Sequence, residues 1–265
     1  MSKITAVLFC LAALVVAQPF DAADEVVLNF SPDSVTAIAL ELDAGNIQLS
    51  AGEGAITVRV ARHCQADEEE SAQQGLETIT VGSELNDDEL DVTVELPEEL
   101  PGCDAAVTIS APAGTAVSLS TETGNVTVYG MTAGVEATTQ AGAIRLTNTG
   151  GRAELETGSG EVNVSTHAGG ILARTGTGGI TCTITAVDER ETVTLETAAG
   201  AVTLRLPADV SAHIDAATQA GTVSVYGFEA IWDTETDKAV VGTVLYGDTE
   251  VMVRSGAGNI SIGTQ

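Results

Sequence analysis

The sequence predicts an all-β chain: a β-solenoid or β-helix-like stack of ~18–22-residue repeats with a strand-rich N-terminal portion. Three observations predict it. One phrase recurs with a strict period of eighteen, as Thr121-Glu-Thr-Gly124-Asn-Val126-Thr-Val128 and again from Thr139, Thr157 and Thr175. Its glycines are Gly124, Gly142, Gly160 and Gly178, with looser copies at Gly200, Gly221 and Gly258 and one earlier at Gly45. Within each copy apolar residues alternate in short runs bounded by glycine, such as Val126 and Val128 or Ile144 and Leu146, which is the strand period. The chain also holds 28 glycines with only 3% aromatic residues, a composition that suits stacked strands and tight corners better than a conventional core.

Taken in order, residues 1–17 read as a secretion signal. Lys3 precedes an apolar run from Ile4 to Ala17, too short to span a bilayer comfortably, and Val15 and Ala17 give a small-residue cleavage pattern before Gln18. Residues 18–112 form the strand-rich N-terminal part of the domain. Strands are expected at Val26 to Phe30, Ala37 to Leu42, Ile47 to Ser50, Ala55 to Ala61, Thr78 to Val81, Leu90 to Leu96 and Ala106 to Ile109. A short acidic helix is expected at Asp67 to Leu76, and Pro97, Pro101 and Pro112 punctuate this end. Residues 113–265 carry the repeats. Each supplies two short strands that cannot bury their apolar residues alone, so neighbours must stack and pair. Thr121, Thr139, Thr157 and Thr175 are expected to align as a polar ladder, and the insertion Asp188-Glu-Arg-Glu191 to bulge outward without breaking the stack. The last part is a degenerate region from Val223, strands at Lys238 to Tyr246 and Glu250 to Arg254, and a final copy at Gly258-Asn-Ile-Ser-Ile262. Tyr226, Phe228, Trp232 and Tyr246 are expected to cap the open end.

Charge and cysteine content narrow the classes. There are 10 basic and 38 acidic residues, so removal of Lys3 with the leader leaves 9 − 38 = −29. Such a field repels nucleic acid and anionic headgroups and favours cations or basic partners. Cys64 follows a strand-like run and Cys103 lies in a Pro-Gly-Cys turn. A bridge between them, in an oxidising compartment, would close a loop of about 40 residues and add up to roughly 4 kcal/mol in the chain-entropy model. Cys182 takes the place of Val128, Leu146 and Val164 and reads as a small buried hydrophobe.

The leading strands, the segment Val107-Thr-Ile-Ser-Ala-Pro-Ala-Gly114, the repeated Thr-x-x-Gly-[Asn/Ala/Glu]-[Val/Ile]-x-[Val/Leu] and the closing Ser255-Gly-Ala-Gly-Asn-Ile-Ser-Ile262 resemble the bacterial adhesin-candidate β-repeat domains of the DUF4097 type. These are related to the toast-rack domains of envelope-stress proteins. The resemblance spans roughly Val26 to Gly263 and implies an exported β-solenoid with no catalytic residues to carry over. Asn, Ala or Glu stands here where Asp often follows the repeat glycine, which argues against a regular ladder of bound cations.

The candidate chemistry is sparse. Asp67-Glu-Glu-Glu70 and Asn86-Asp-Asp-Glu89 lack the spacing of a calcium loop and read as solvated charge. His63, His167 and His213 are far apart with no metal spacing. Arg145, Arg152 and Arg174 are the basic residues of the regular rungs and are expected to balance acids such as Glu136, Glu154 and Glu161 rather than to act as lyase bases. Tyr226, Phe228 and Trp232 form the candidate ligand-binding set, as a sugar-stacking platform, beside their reading as a cap. The sequence is therefore read as a non-catalytic, exported, adhesin-like surface or periplasmic interaction module. No cofactor or metal and no nucleic-acid partner are expected, and the partner is a surface glycan or an envelope protein. The alternatives are a polysaccharide lyase or hydrolase on a β-helix scaffold, or an accessory component of envelope-stress sensing.

Overall fold

The computed structural model describes residues 20–97 and 102–265. The expected leader, the start at Gln18 and Pro101 lie outside them. The repeats fold as rungs, each a pair of strands joined at its glycine corner. In chain order these pairs are Ala37–Ala44 with Ile47–Ala51, Ala116–Thr123 with Val126–Tyr129, Gly134–Ala141 with Ile144–Gly150, and Arg152–Ser159 with Val162–Ala168. They continue with Ile171–Thr177 and Ile180–Ala186, Thr192–Ala199 and Val202–Leu206, Ala212–Ala220 and Val223–Tyr226, and finally Thr249–Ala257 and Ile260–Thr264. The first members join a 12-stranded sheet and the second members an 11-stranded sheet. Pairing between successive rungs is parallel and in register, so Ile144 lies between Val126 and Val162. The result is a solenoid-like body of two long, mostly parallel sheets around one core.

Period-two alternation explains the core. Ala153, Leu155, Val162 and Val164 of one rung, and Ile171, Ala173, Ile180 and Cys182 of the next, are all buried. The intervening side chains face out. Asp188 to Glu191 form a turn in which the Glu191 amide donates to the Asp188 carbonyl at 3.1 Å. The register from Ile171 to Val193 carries on past it, so the insertion bulges without disturbing the stack.

The motif glycines have a single geometric cause. Gly124, Gly142, Gly160, Gly178, Gly200, Gly258 and Gly221, with Gly45 ahead of them, form one column at the corner, all with φ between +139° and +159°. A Cβ on any member from Gly124 onward would overlap the carbonyl of the glycine before it in the column. The column does not follow the chain: Gly258 sits between Gly200 and Gly221. The last rung in the sequence is inserted between two earlier ones, and Ala37–Ala51 is likewise held between the pair Glu89–Glu95 and Cys103–Ala111 and the rung beginning at Ala116.

The motif threonines serve the same corner. They align in register but do not bond to one another. Thr139, Thr157, Thr175 and Thr197 are buried, and each hydroxyl donates to the glycine carbonyl of the preceding rung at 2.9–3.1 Å. Ser255 and Thr218 do this for Gly200 and Gly258. Thr-x-x-Gly is thus a device that satisfies a part-buried corner carbonyl which no strand pairing reaches. Thr157→Val, nearly isosteric, is expected to cost about 1–3 kcal/mol in urea unfolding by leaving the Gly142 carbonyl without its donor. Thr181→Val, on the exposed face, is expected to stay within about 0.5 kcal/mol. Deletion of residues 139–156, one full period, is expected to leave a folded, shortened protein with β circular dichroism and a cooperative melt; loss of both would contradict independent rungs.

The ends are closed unequally. Phe20–Phe30 and Ile56–Ala66 extend the first end of the 11-stranded sheet antiparallel, and Thr80–Asn86 extends the other sheet. The acidic helix runs Glu69–Thr78, burying Ala72, Gly75 and Leu76 and turning its acids outward. At the far end, the degenerate region includes the strand Ala230–Glu235, which forms an antiparallel hairpin with Ala239–Val244. This hairpin extends only the 12-stranded sheet, leaving Val223–Tyr226 as the terminal strand of its partner.

Candidate functional site

The aromatic residues share one end of the stack but differ in role. Phe228 and Trp232 are half-buried against the core. Trp232 lies over its cross-strand neighbour Gly242, and Tyr226 lies over Gly263. Tyr226 is 46% exposed, while Tyr246, expected within the cap, is 87% exposed. Phe228 and Trp232 are thus the members packed on the core, while Ile231 and Leu245 stand in solvent.

Cys64 and Cys103 are cross-strand partners in an antiparallel ladder and are joined by a disulfide with an S–S distance of 2.04 Å. Cys182 is buried in the core column, and burial pushes its thiol up to about 12. Among the described residues no group of three or more His, Cys, Asp or Glu is placed to hold a metal ion. No helix there is long and apolar enough to cross a membrane.

The histidines occupy unlike environments. His63 is outward, with Nδ1 3.1 Å from Asp104 and Nε2 3.5 Å from Asp21. The hydrogen bond to Asp104 raises its pKa, so the small stabilisation from this exposed pair is full below about pH 6.5 and fades as pH rises through the raised value. His167 is fully buried at a corner where the register is irregular. Its Nδ1 is 2.9 Å from the Thr149 hydroxyl and its Nε2 3.3 Å from the Gly170 carbonyl, which fits a neutral ring donating from Nε2. Thr166 just before it has φ +54°, a costly conformation for a β-branched residue. Desolvation lowers the His167 pKa. The unfolded chain then binds the proton that the folded chain refuses. Stability is therefore expected to fall as pH drops below about 6.5, by up to about 1.4 kcal/mol per pH unit, until His167 itself protonates. Urea unfolding from pH 7 to pH 5 checks this, with His167→Gln expected to show the shallower slope.

The arginines are not equivalent. Arg174 meets Glu196 at 2.8 Å, and the paired acid is neither Glu136 nor Glu161. Arg152 reaches Glu154 only at 3.9 Å. Arg145 makes no ion pair among the described residues. A groove runs along the starts of the strands of the 12-stranded sheet. One stretch, about 280 Å³, is lined by Ala37, Ala116, Gly134, Glu89, Glu136 and Arg152 among others. Arg152 also lines the next stretch, about 180 Å³, with Ile171, Leu172, Arg190, Glu191 and Thr192. Sequence reasoning passed over this groove, because its small residues and Arg190 are far apart in the chain and meet only once the rungs are stacked. The one signal was an arginine in an insertion dominated by acids.

The fold and surface define a β-repeat scaffold whose motif residues bond rung to rung and whose variable residues face out. The chain belongs to the Toastrack DUF4097 family, whose model matches residues 22–263. It is similar to the structure of a cell-adhesion candidate from Clostridium sporogenes, with 14% identity, 92% of this chain and 100% of that chain covered, and a TM-score of 0.44. An adhesin candidate from Bacteroides fragilis gives 12% identity, 90% and 97% coverage and a TM-score of 0.48. A lipid-binding candidate from Parabacteroides distasonis gives 8% identity, 91% and 97% coverage and a TM-score of 0.32. No curated protein matches the chain.

Proposed function

We propose that the chain is a non-catalytic, exported interaction module, at the cell surface or in the periplasm, that holds a surface glycan or an envelope protein. The observation that carries this reading is the division of residues within each rung. Inward threonine and glycine recur because the stack requires them. Outward positions in register vary freely: Thr127, Arg145, Asn163, Thr181, Thr203 and Ser261 on one sheet, and Ser118, Glu136, Glu154, Leu172 and Thr194 on the other. Side chains presented at a regular spacing of about 4.8 Å suit an extended partner, and many weak contacts in series sum to avidity. The hydroxyls for such contacts come from outward residues, since the motif threonines are buried. Tyr226 is the accessible member of the aromatic set, while Phe228 and Trp232 pack against the core. The net charge of −28 disfavours nucleic acid and anionic lipid as partners.

A glycan and polysaccharide array, read for both retention and released product, tests this. Retention without product, weakened by Tyr226→Ala, is the expected result. Release of reducing ends or unsaturated sugars would replace this reading with an enzyme. Silence on glycans together with capture of an envelope protein would move the partner to protein and favour a role in envelope-stress sensing.

A further inference from the structure

We propose that the groove along the strand starts of the 12-stranded sheet is a site for a carboxylated sugar, a hexuronate residue within an otherwise neutral glycan, with Arg152 and Arg190 as its carboxylate clamp. This rests on the reading of the chain as an interaction module and names its ligand class.

The argument begins with charge. Ten cationic residues share the chain with 38 acids. Most cations of the described residues are engaged: Arg62 with Asp24 at 2.5 Å, Arg174 with Glu196 at 2.8 Å, Arg254 with Asp215, and Lys238 with the Gly221 carbonyl at 2.7 Å. Arg152 and Arg190 differ, as does Arg145, which stands on the other sheet. The Arg152 side chain is 74% exposed with only the 3.9 Å contact to Glu154, and Arg190 makes no ion pair among the described residues. Yet both line the same 180 Å³ stretch of the groove. Arg190 is held there with φ +78°, an uncommon conformation for a residue with a side chain. The turn that holds it is fastened twice, by the Glu191 amide on the Asp188 carbonyl and by the Asp188 amide on the Glu191 carboxylate at 3.0 Å. Guanidinium forks match a carboxylate bidentately, which a point charge does not.

The remaining lining selects a sugar acid among carboxylates. Half-buried Leu172 offers an apolar surface for the C–H face of a pyranose ring, and exposed Thr192 a hydroxyl for its polar edge. Beyond Arg152 the groove passes over Ala37, Ala116 and Gly134, with Ser118, Glu89, Glu136 and Glu154 lining it. Carboxylates accept hydrogen bonds from neutral sugar hydroxyls but repel further anions. The site therefore takes an isolated acid flanked by neutral residues and rejects polyuronates and sulfated chains.

The test uses the whole chain and a tetrasaccharide alternating glucuronate with N-acetylglucosamine, beside the same compound with its carboxyls reduced to alcohols, by calorimetry and ligand-observed NMR. The acid form is expected to bind at least tenfold tighter than the reduced form. Arg152→Gln and Arg190→Gly are each expected to weaken it at least tenfold, and Arg59→Gln, an exposed arginine paired with Glu25 away from the groove, to leave it unchanged. Arg190→Gly removes the positive-φ strain, so its loss of binding cannot be assigned to misfolding. Gly134→Leu blocks the groove from a backbone position where the nearest atom to a new Cβ, the Arg152 carbonyl oxygen, is 3.5 Å away, and is expected to abolish binding of both forms. Equal binding of the two forms, or binding that survives the Arg152→Gln/Arg190→Gly double variant, overturns the clamp. Absence of tetrasaccharide binding while another glycan or an envelope protein is retained overturns the clamp alone; absence of every partner overturns the module reading with it.

Discussion

Gly142→Ala is expected to destabilise the protein by at least about 4 kcal/mol, with cooperative unfolding shifted far down in urea, or no folded product at all. Two independent effects add. The residue has φ +154°, which an alanine adopts only with strain of about 1–3 kcal/mol. Its new Cβ would also overlap the carbonyl oxygen and carbon of Gly124 in the rung before. Backbone cannot move aside there, because the Gly142 amide bonds to Ser159 and the Ile144 amide to Glu161, both at the next rung. Relief at one corner would have to separate two rungs. Gly134→Ala is the control. It lies on the same rung without a positive φ, and its Cβ would have only ordinary contact, 3.5 Å, with the Arg152 carbonyl. It is expected to change stability by less than about 1 kcal/mol. Equal effects at the two positions would contradict the column.

Loss of the Cys64–Cys103 bridge is expected to be the next largest change. The sequence separation is 39, and in the chain-entropy model a loop of that size constrains the unfolded chain by about 4 kcal/mol. The double variant Cys64→Ala/Cys103→Ala should therefore unfold at lower urea with a larger m-value, since the released chain exposes more surface. Thiol counting checks the pairing itself. Native protein beginning at Gln18, and so without Cys10, should react with no equivalent of a thiol reagent, because Cys182 is buried and its thiol is pushed up to about 12. The same protein denatured but unreduced should give one equivalent. Three would show that the bridge is absent.

What could be read from the sequence follows from where the determining interactions lie. The strands Val126–Tyr129 and Ile144–Gly150 were legible because alternation and glycine corners are local, and the fixed period transfers the pattern to the next rung. The role of Thr157 was not: its partner is a carbonyl fifteen residues earlier, in another rung. The strand Ala230–Glu235 was hidden because Phe228 and Trp232 read as part of an aromatic cap, and only the hairpin with Ala239–Val244 gives the segment its pairing. The groove was hidden for the same reason, since Ala37, Gly134 and Arg190 become neighbours through stacking and not through spacing.

The insertion of the last rung between two earlier ones has a consequence for how the chain assembles. From Ala116 to Leu206 each rung docks on the one just completed, with Cα partners eighteen to twenty-two residues apart, so growth is local and fast. Ala212–Tyr226 breaks that order. Apart from Ala239–Val244 of the hairpin, its strands pair with Thr249–Thr264 and not with the rung beginning at Thr192, so it has no seat on the stack until the final segment arrives. The closing step must then fasten two rungs and the terminal hairpin together, through contacts as far apart as Leu204 and Ile262. Refolding should accordingly show a fast phase that forms most of the strand signal and a slower phase that protects the Gly258 amide, which donates to Ala220. A chain halted before Thr249 would complete the first phase and stall at the second.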